Sequence, residues 1–455
     1  MTTGRHAGSR APGSCAQSAP LVLALLLAGC AVGPDYHTPP LSGTEAPQGW
    51  HATLPHHGSR MALAHWWEQF HDPVLTQLVE QADATSPTIA QAVGRVREAR
   101  ASVSTNRAAL LPQLKGSGSA TRQGGFGGSQ FAGGAGGLSA GALNPTLGLG
   151  TITTLGAQAD ASWEIDLFGG KRRSLEGADA RLTASEADWH DARVSLAAEV
   201  ANTYLQQREC EALVDIGAAT LSSRQETLQL TERKFRAGFV APADFAQAQA
   251  TVGDAVNALE GQRAQCAQGI DKLVALTGLD HDALNGLLSK ASAQIPAPPD
   301  PGVPDVPAQV LSQRPDVSSA ERAVAGASAD ALASYRSKVR QAVQEVEDAL
   351  VRLDASERRV DAATMADAQY AKVLEASNAR YRLGAGSLLQ LEDVRRTALQ
   401  ASQSLAAVKL ERAQAWVALY KAVGGGWRDD APNPHPDHKT TAPTAQGRTH
   451  TGSAS

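Results

Sequence analysis

The chain has 455 residues, of which only 4% are aromatic, and a formal charge of -5 at neutral pH. Ala, Gln, Glu and Arg dominate its central part, which favours long helices and excludes a single large compact core as the organiser. The charge is spread without a basic stripe, which argues against nucleic acid as a partner and reads as solvated helix faces.

Arg5 and Arg10 precede an apolar run, Leu21 to Leu27, closed by Leu27-Ala28-Gly29-Cys30. The run is too short to span a bilayer and has the layout of a secretory signal. Small residues before a Cys resemble the lipobox of bacterial lipoproteins. That resemblance implies cleavage of residues 1–29, lipid attachment to Cys30 and, with Ala31 rather than Asp next in line, sorting to the outer membrane. A plain signal with an incidental Cys is the alternative.

Residues 30–72 carry Pro34, Pro39, Pro40, Pro47 and Pro55 and end in His65-Trp66-Trp67-Glu68-Gln69-Phe70, a predicted extended tether. The scattered His51, His56, His57, His65 and His71 read as surface residues, with no metal expected. From Pro73 to Leu111, Leu75, Leu78, Val79, Ala82, Ile89, Ala92, Val93 and Val96 recur at helical spacing. Asp72 serves as cap, and an interruption is expected near Pro87.

Pro112 ends this helix, and Gly, Ser, Ala and Thr follow to about residue 153. Leu155, Ala157, Ala159, Ala161, Trp163 and Ile165 then alternate with Gly156, Gln158, Asp160, Ser162, Glu164 and Asp166. Period two over that length predicts a strand with one apolar and one polar face, long enough to cross a bilayer at a tilt. Leu114, Gly116, Gly118 and Ala120 alternate more weakly, so residues 113–168 read as a transmembrane hairpin with an outer loop. A soluble hairpin is the alternative.

No Pro occurs between Lys171 and Phe239, which predicts a helix of about 100 Å that must be laid against others along its length. After a break at 238–243, a second helix runs from Ala243 to about Leu276, Gly278 stops it, and a Pro-rich linker covers 296–307. Lys234-Phe235-Arg236-Ala237-Gly238 reappears as Arg380-Tyr381-Arg382-Leu383-Gly384, and Ala198-Glu199-Val200 as Gln344-Glu345-Val346, both at an offset of 146 residues. The chain is read as a tandem duplication of a long helical hairpin. The first repeat is 73–295 and the second 308–425 with its tip at 384–388, followed by a disordered tail at 426–455.

Cys210 and Cys266 lie 28 residues before and 28 after Gly238. Two antiparallel helices hinged there bring them to similar height, where a disulfide forms in an oxidising compartment only if the helix faces agree. No His-Glu-x-x-His, Cys-x-x-Cys, phosphate loop or nucleophile elbow follows Cys30, so no catalytic residue, metal or cofactor is expected and the chain is not read as an enzyme.

Cys30-Ala31-Val32-Gly33-Pro34-Asp35-Tyr36, Trp66-Trp67 with Phe70 and Asp72, Trp163-Glu164-Ile165-Asp166-Leu167-Phe168-Gly169, Arg314-Pro315-Asp316-Val317, Gln344-Glu345-Val346-Glu347-Asp348-Ala349-Leu350 and Arg382-Leu383-Gly384-Ala385-Gly386-Ser387-Leu388 occur in that order. Together they resemble the TolC-like outer-membrane efflux family, in its NodT-type lipoprotein branch. The resemblance implies a mainly α fold with a transmembrane β part: a trimer of tandem helical hairpins forming a periplasmic tunnel under a β-barrel. It implies a passive exit duct of a tripartite efflux pump, with a periplasmic adaptor and an inner-membrane RND transporter as partners. Gly238, Leu383, Gly384 and Ser387 would meet the adaptor. Asp393 and Asp244 match the family's gate carboxylates by position, with Arg382 or Arg395 as counter-charge. The chain departs from the family after Ala320-Glu321, where a second strand pair is missing, so a trimer would supply half the expected strands. A lipoprotein post without a channel, or the exit duct of a protein-secretion system, are the competing readings.

Overall fold

The computed structural model describes Trp50 and residues 65–124, 151–290, 294–298, 311, 314–325 and 329–425. The predicted signal, Cys30, nearly all of the tether, the loop between the strands, most of the 296–307 linker and the 426–455 tail lie outside the described residues. In chain order, a 3-10 turn at Trp66–Phe70 is followed by α1 (Pro73–Thr85), α2 (Pro87–Ala108), β1 (Gln113–Gly124), β2 (Thr151–Ser162), α3 (Gly170–Arg236) and α4 (Pro242–Thr277). Then come α5 (His281–Leu288), α6 (Pro315–Ala325), α7 (Ala329–Arg382) and α8 (Leu388–Ala422).

Local chemistry sets these limits. Asp72 accepts hydrogen bonds from the Val74 and Leu75 amides at 2.8 and 3.2 Å, capping α1 ahead of Pro73. Pro87 excludes helical geometry from Ser86, which is extended at φ -62° and ψ 123°, and this separates α1 from α2. Gly278, at φ 66°, closes α4.

The described residues fall into two compact units, one of 101–124 with 151–178, the other of 65–100 with 179–425. In the first, β1 and β2 pair antiparallel without a bulge from Gln113↔Ser162 to Gly124↔Thr151. Alternation puts Leu114, Gly116, Gly118, Ala120, Leu155, Ala157, Ala159 and Ala161 on one face, and Lys115, Ser117, Ser119, Thr121, Thr154, Gln158 and Asp160 on the other. The strand expected over 155–166 is Thr151–Ser162 instead, so Trp163 and Ile165 lie beyond its end. Trp163 donates its indole N–H to the Leu110 carbonyl at 3.2 Å, a bond that turns the chain out of the ladder. Asp166 accepts from the Arg172 amide at 2.9 Å at the start of α3. That bond, opposed by slight desolvation and helped by the Lys171 amide, holds its carboxyl below the ordinary range.

The second unit is built on one main core. Trp66 stacks on Tyr420 with ring centroids 5.8 Å apart, and Phe70 meets Trp416 edge-on at 4.7 Å. Leu75 and Leu78 of α1, Val200, Tyr204 and Leu205 of α3, Leu273 of α4, Leu284 of α5, Leu350 of α7 and Trp416 of α8 are at most 1% exposed and close around them. The end of the predicted tether is therefore core. Trp66 and Phe70 supply a large share of the apolar area buried here. Inside that core Tyr204 donates to Asp72 Oδ2 at 2.5 Å, and Arg208 donates to the Tyr204 hydroxyl at 2.9 Å and to the Leu288 carbonyl at 3.0 Å. Burial, with Asp72 alongside, pushes the Tyr204 phenol well above its ordinary value. A smaller core holds Leu311, Val317, Tyr335, Val339 and Ala342. Above it Arg314 is clamped by Asp316 at 2.9 Å, Glu345 at 2.7 Å and the Ala422 carbonyl at 2.7 Å.

The second repeat differs from the first in one decisive respect. Where the first repeat carries β1, β2 and the chain between them, α6 ends at Ala325 and α7 begins at Ala329. Three residues cannot hold a strand pair. α7 then runs unbroken for 54 residues, and the sheet among the described residues has two strands.

Candidate functional site

α3 and α4 form one long hairpin and α7 and α8 another, and both close in the same way. Gly238 and Gly384 have φ of 77° and 75°. The Phe239 amide reaches the Lys234 carbonyl at 2.8 Å, and the Ala385 amide reaches the Arg380 carbonyl at 2.9 Å. These are six-to-one caps of the kind a glycine in left-handed geometry permits. They sit 146 residues apart, the offset of the sequence repeat. Phe239 is 81% exposed and Leu383 84%, so each turn presents one large apolar side chain to its surroundings. Ser387 caps α8 through the Gln390 amide at 3.2 Å.

Behind the turns the two hairpins are tied together. The Tyr381 hydroxyl and Thr231 Oγ1 are 2.6 Å apart, and Thr231 also donates to the Thr227 carbonyl at 2.8 Å. Lys234 Nζ donates to the Tyr381 carbonyl at 2.8 Å and lies 4.2 Å from the centre of its ring. Ala248, Leu388 and Leu391 pack around Tyr381. A cleft of about 340 Å³ opens beside this junction, lined by Ser223, Glu226, Thr227, Asn378, Tyr381 and Arg382 among others.

Arg395 is 2% exposed and joins three helices: it pairs with Glu392 on its own helix, and donates to Ser223 at 3.1 Å and Thr227 at 3.0 Å on α3 and to Asn378 at 3.2 Å on α7. Arg224 faces the same carboxylate, with its Nε 3.5 Å from Glu392 Oε2, an ion pair in which neither atom has a well-formed hydrogen bond. Burial, with Arg224 beside it, pulls Arg395 below the ordinary guanidinium value against the pull of Glu392. Two buried cations on one carboxylate lock the α3 end to the second hairpin through hydroxyl and amide partners.

The carboxylates singled out from sequence sit elsewhere. Asp393 and Asp244 are both exposed. Neither expected counter-charge reaches Asp393: Arg382 pairs with Glu226 at 3.3 Å, and Arg395 is committed to Glu392. The partner of Asp393 is Arg396, one helical turn on, a pairing that the three-residue spacing on α8 made readable. Farther along the first hairpin, Cys210 and Cys266 are joined by a disulfide with an S–S distance of 2.06 Å and Cα atoms 5.6 Å apart.

Among the described residues no group of three or more His, Cys, Asp or Glu side chains is placed to hold a metal ion, and no helix is long and apolar enough to cross a membrane. The arrangement binds and positions helices and offers no nucleophile with an adjacent base.

The family model described as outer membrane efflux protein matches residues 78–279 and 316–425. The pyoverdine export outer membrane protein OpmQ of Pseudomonas putida is 28% identical over 478 positions, covering 90% of this chain and 98% of that protein. The match spans 478 positions and draws on 90% of 455 residues, so about 70 of its positions have no counterpart here. Nodulation protein T of Rhizobium leguminosarum bv. trifolii is 27% identical, covering 89% of this chain and 96% of that protein. The solved structure of the outer-membrane channel OprN superposes with a TM-score of 0.72 at 26% identity, covering 88% of this chain and all of that one.

Proposed function

This chain belongs to the outer membrane efflux protein family, and from that membership we propose that it is the outer-membrane channel component of a tripartite RND-type efflux pump. It works as a trimer and gives small molecules a passive exit. The observation that carries this reading is the in-register hairpin of two 12-residue strands with one apolar and one polar face. Strands of that length cross a bilayer at a tilt, and a polar face turned inward lines a wet path. Trp163, Ile165, Leu167 and Phe168, all at least 59% exposed just past β2, suit the boundary between hydrocarbon and water.

The helical hairpins carry the other half of the work. Their paired turns, with Phe239 and Leu383 exposed, offer a periplasmic adaptor two equivalent apolar contacts per copy. The Thr231–Tyr381 and Arg395 ties keep those contacts at fixed spacing. Asp244 and Asp393, repeated around a three-fold axis, make a negatively charged entrance that Arg396 moderates. Lipid on Cys30 holds the chain to the outer membrane from its N-terminal side. Energy comes from the inner-membrane transporter, so no covalent chemistry is asked of this chain.

Efflux assays in a Gram-negative host lacking its own outer-membrane component test the reading. Co-expression with cognate adaptor and transporter is expected to restore resistance to pump substrates, and Cys30→Ala to abolish lipid labelling. A fully lipidated, outer-membrane protein that restores no efflux and cross-links to no adaptor would overturn it.

A further inference from the structure

The hairpin has two unpaired edges, one along β1 and one along β2, and a sheet edge cannot stay open in hydrocarbon, where nothing else satisfies its N–H and C=O groups. Between α6 and α7 the chain has no room for strands of its own to cover them. On the reading of this chain as a trimeric outer-membrane channel, the edges can be closed only by the hairpins of the other two copies. Six strands spaced about 4.8 Å apart and tilted about 40° enclose a barrel only about 12 Å across between backbones. Eight strands already leave an interior just wide enough for side chains to fill.

The face turned into so narrow a space must be the polar one, because lipid accepts Leu114, Leu155 and the Gly and Ala residues beside them but not Lys115 and Asp160. Lys115 and Asp160 are directly opposite each other in the ladder, and Gln158 Nε2 donates to both Asp160 carboxylate oxygens, at 3.1 and 3.0 Å. In three copies this level carries three ammonium and three carboxylate groups around one axis. Farther along, Ser119 faces Gly156, where even a Cβ would come 2.9 Å from the Ser119 hydroxyl.

We infer that the membrane end of this protein is a six-stranded barrel constricted by a ring of Lys115 and Asp160, and that its exported substrates are ions and not organic molecules of drug size. The constriction sets the size and charge of the cargo, whereas the helical hairpins set the partners.

The first test measures barrel width directly in the lipidated full chain, in outer membranes. Ser119→Cys places one thiol per copy on the inner face, and Gly118→Cys places it on the outer face. A short bis-maleimide of about 8 Å reach is expected to link Ser119→Cys copies to each other across a barrel of about 12 Å and to leave Gly118→Cys unlinked. Outer-membrane trimers whose Ser119→Cys copies do not link would overturn the narrow barrel and leave the channel reading standing. Failure to recover outer-membrane trimers at all would overturn the channel reading and this inference with it. In planar bilayers Lys115→Gln is expected to shift the reversal potential toward cation selectivity and Asp160→Asn toward anion selectivity. Liposomes carrying the wild type stay impermeable to a trisaccharide. Reversal potentials that ignore both substitutions, an absence of current, or free passage of the trisaccharide would each overturn the assignment.

Discussion

Tyr381 and Thr231 are 150 residues apart in sequence and share a hydrogen bond of 2.6 Å that fastens the second helical hairpin to the first. Tyr381→Phe removes one buried hydrogen bond, while Thr231 keeps its bond to the Thr227 carbonyl. The expected loss is about 1 kcal/mol, too little to unfold the chain. In planar bilayers it is expected to raise the open fraction of the channel; an unchanged open fraction would show that the tie does not hold the entrance.

Gly238 and Gly384 occupy backbone geometry that an L side chain adopts with strain. Alanine at either position is expected to cost about 1–2 kcal/mol and to lower the melting temperature. Gly386, whose added Cβ would meet its nearest atom at an ordinary 3.6 Å, is the control: Gly386→Ala should leave the melting temperature nearly unchanged.

Arg396 and Arg395 make opposite predictions although adjacent. Arg396→Ala removes the partner of an exposed carboxylate, so stability is expected to hold while block of the channel by divalent cations tightens. Arg395→Ala empties a buried site shared by Glu392, Ser223, Thr227 and Asn378. Breaking such a site costs about 3–5 kcal/mol, read as a lower yield of folded trimer. Equal effects of the two substitutions would contradict the geometry.

Arg314 offers a pH-dependent readout. Burial raises the Asp316 carboxyl, but the hydrogen bonds and charge of Arg314 outweigh it and hold the folded group below its model value of 3.8. A depressed acid contributes stability that is present above its unfolded value and lost as pH falls through the folded one. Acid unfolding followed by circular dichroism should therefore show a slope below about pH 4 that Arg314→Ala weakens.

The Cys210–Cys266 bond closes a separation of 56 residues, which in the chain-entropy account contributes about 4 kcal/mol. Reduction is expected to add two hydrogens to the intact mass and lower the thermal midpoint. Cys210→Ser with Cys266→Ser should reproduce that midpoint without reductant.

Much of this fold is legible in sequence because helix rules are local. The Pro-free run before Phe239, the Pro87 break and the glycine stops at 238, 278 and 384 each follow from one residue's backbone preference. What sequence misplaces depends on distant partners. Trp66 and Phe70 read as the end of a proline-rich tether because nothing nearby marks Trp416 and Tyr420, some 350 residues on, as their neighbours. The end of β2 was set too late because alternation continues past Ser162, while the bond from Trp163 to Leu110 that ends the strand comes from the far side of the hairpin. The counter-charge of Asp393 was sought in Arg382 and Arg395. Charge alone does not separate an arginine that faces α3 from one that faces solvent on the same turn as its carboxylate.

The junction between α6 and α7 has a consequence for how such proteins diversify. Two helices that meet across three residues form a splice point, at which a membrane hairpin can be removed or inserted while the aromatic core and both hairpin tips stay intact. Bore width can therefore change in one insertion or deletion event, independently of the surfaces that choose the adaptor. A lineage could exchange a wide-cargo duct for a narrow one, or recover it, without renegotiating any of its protein partners.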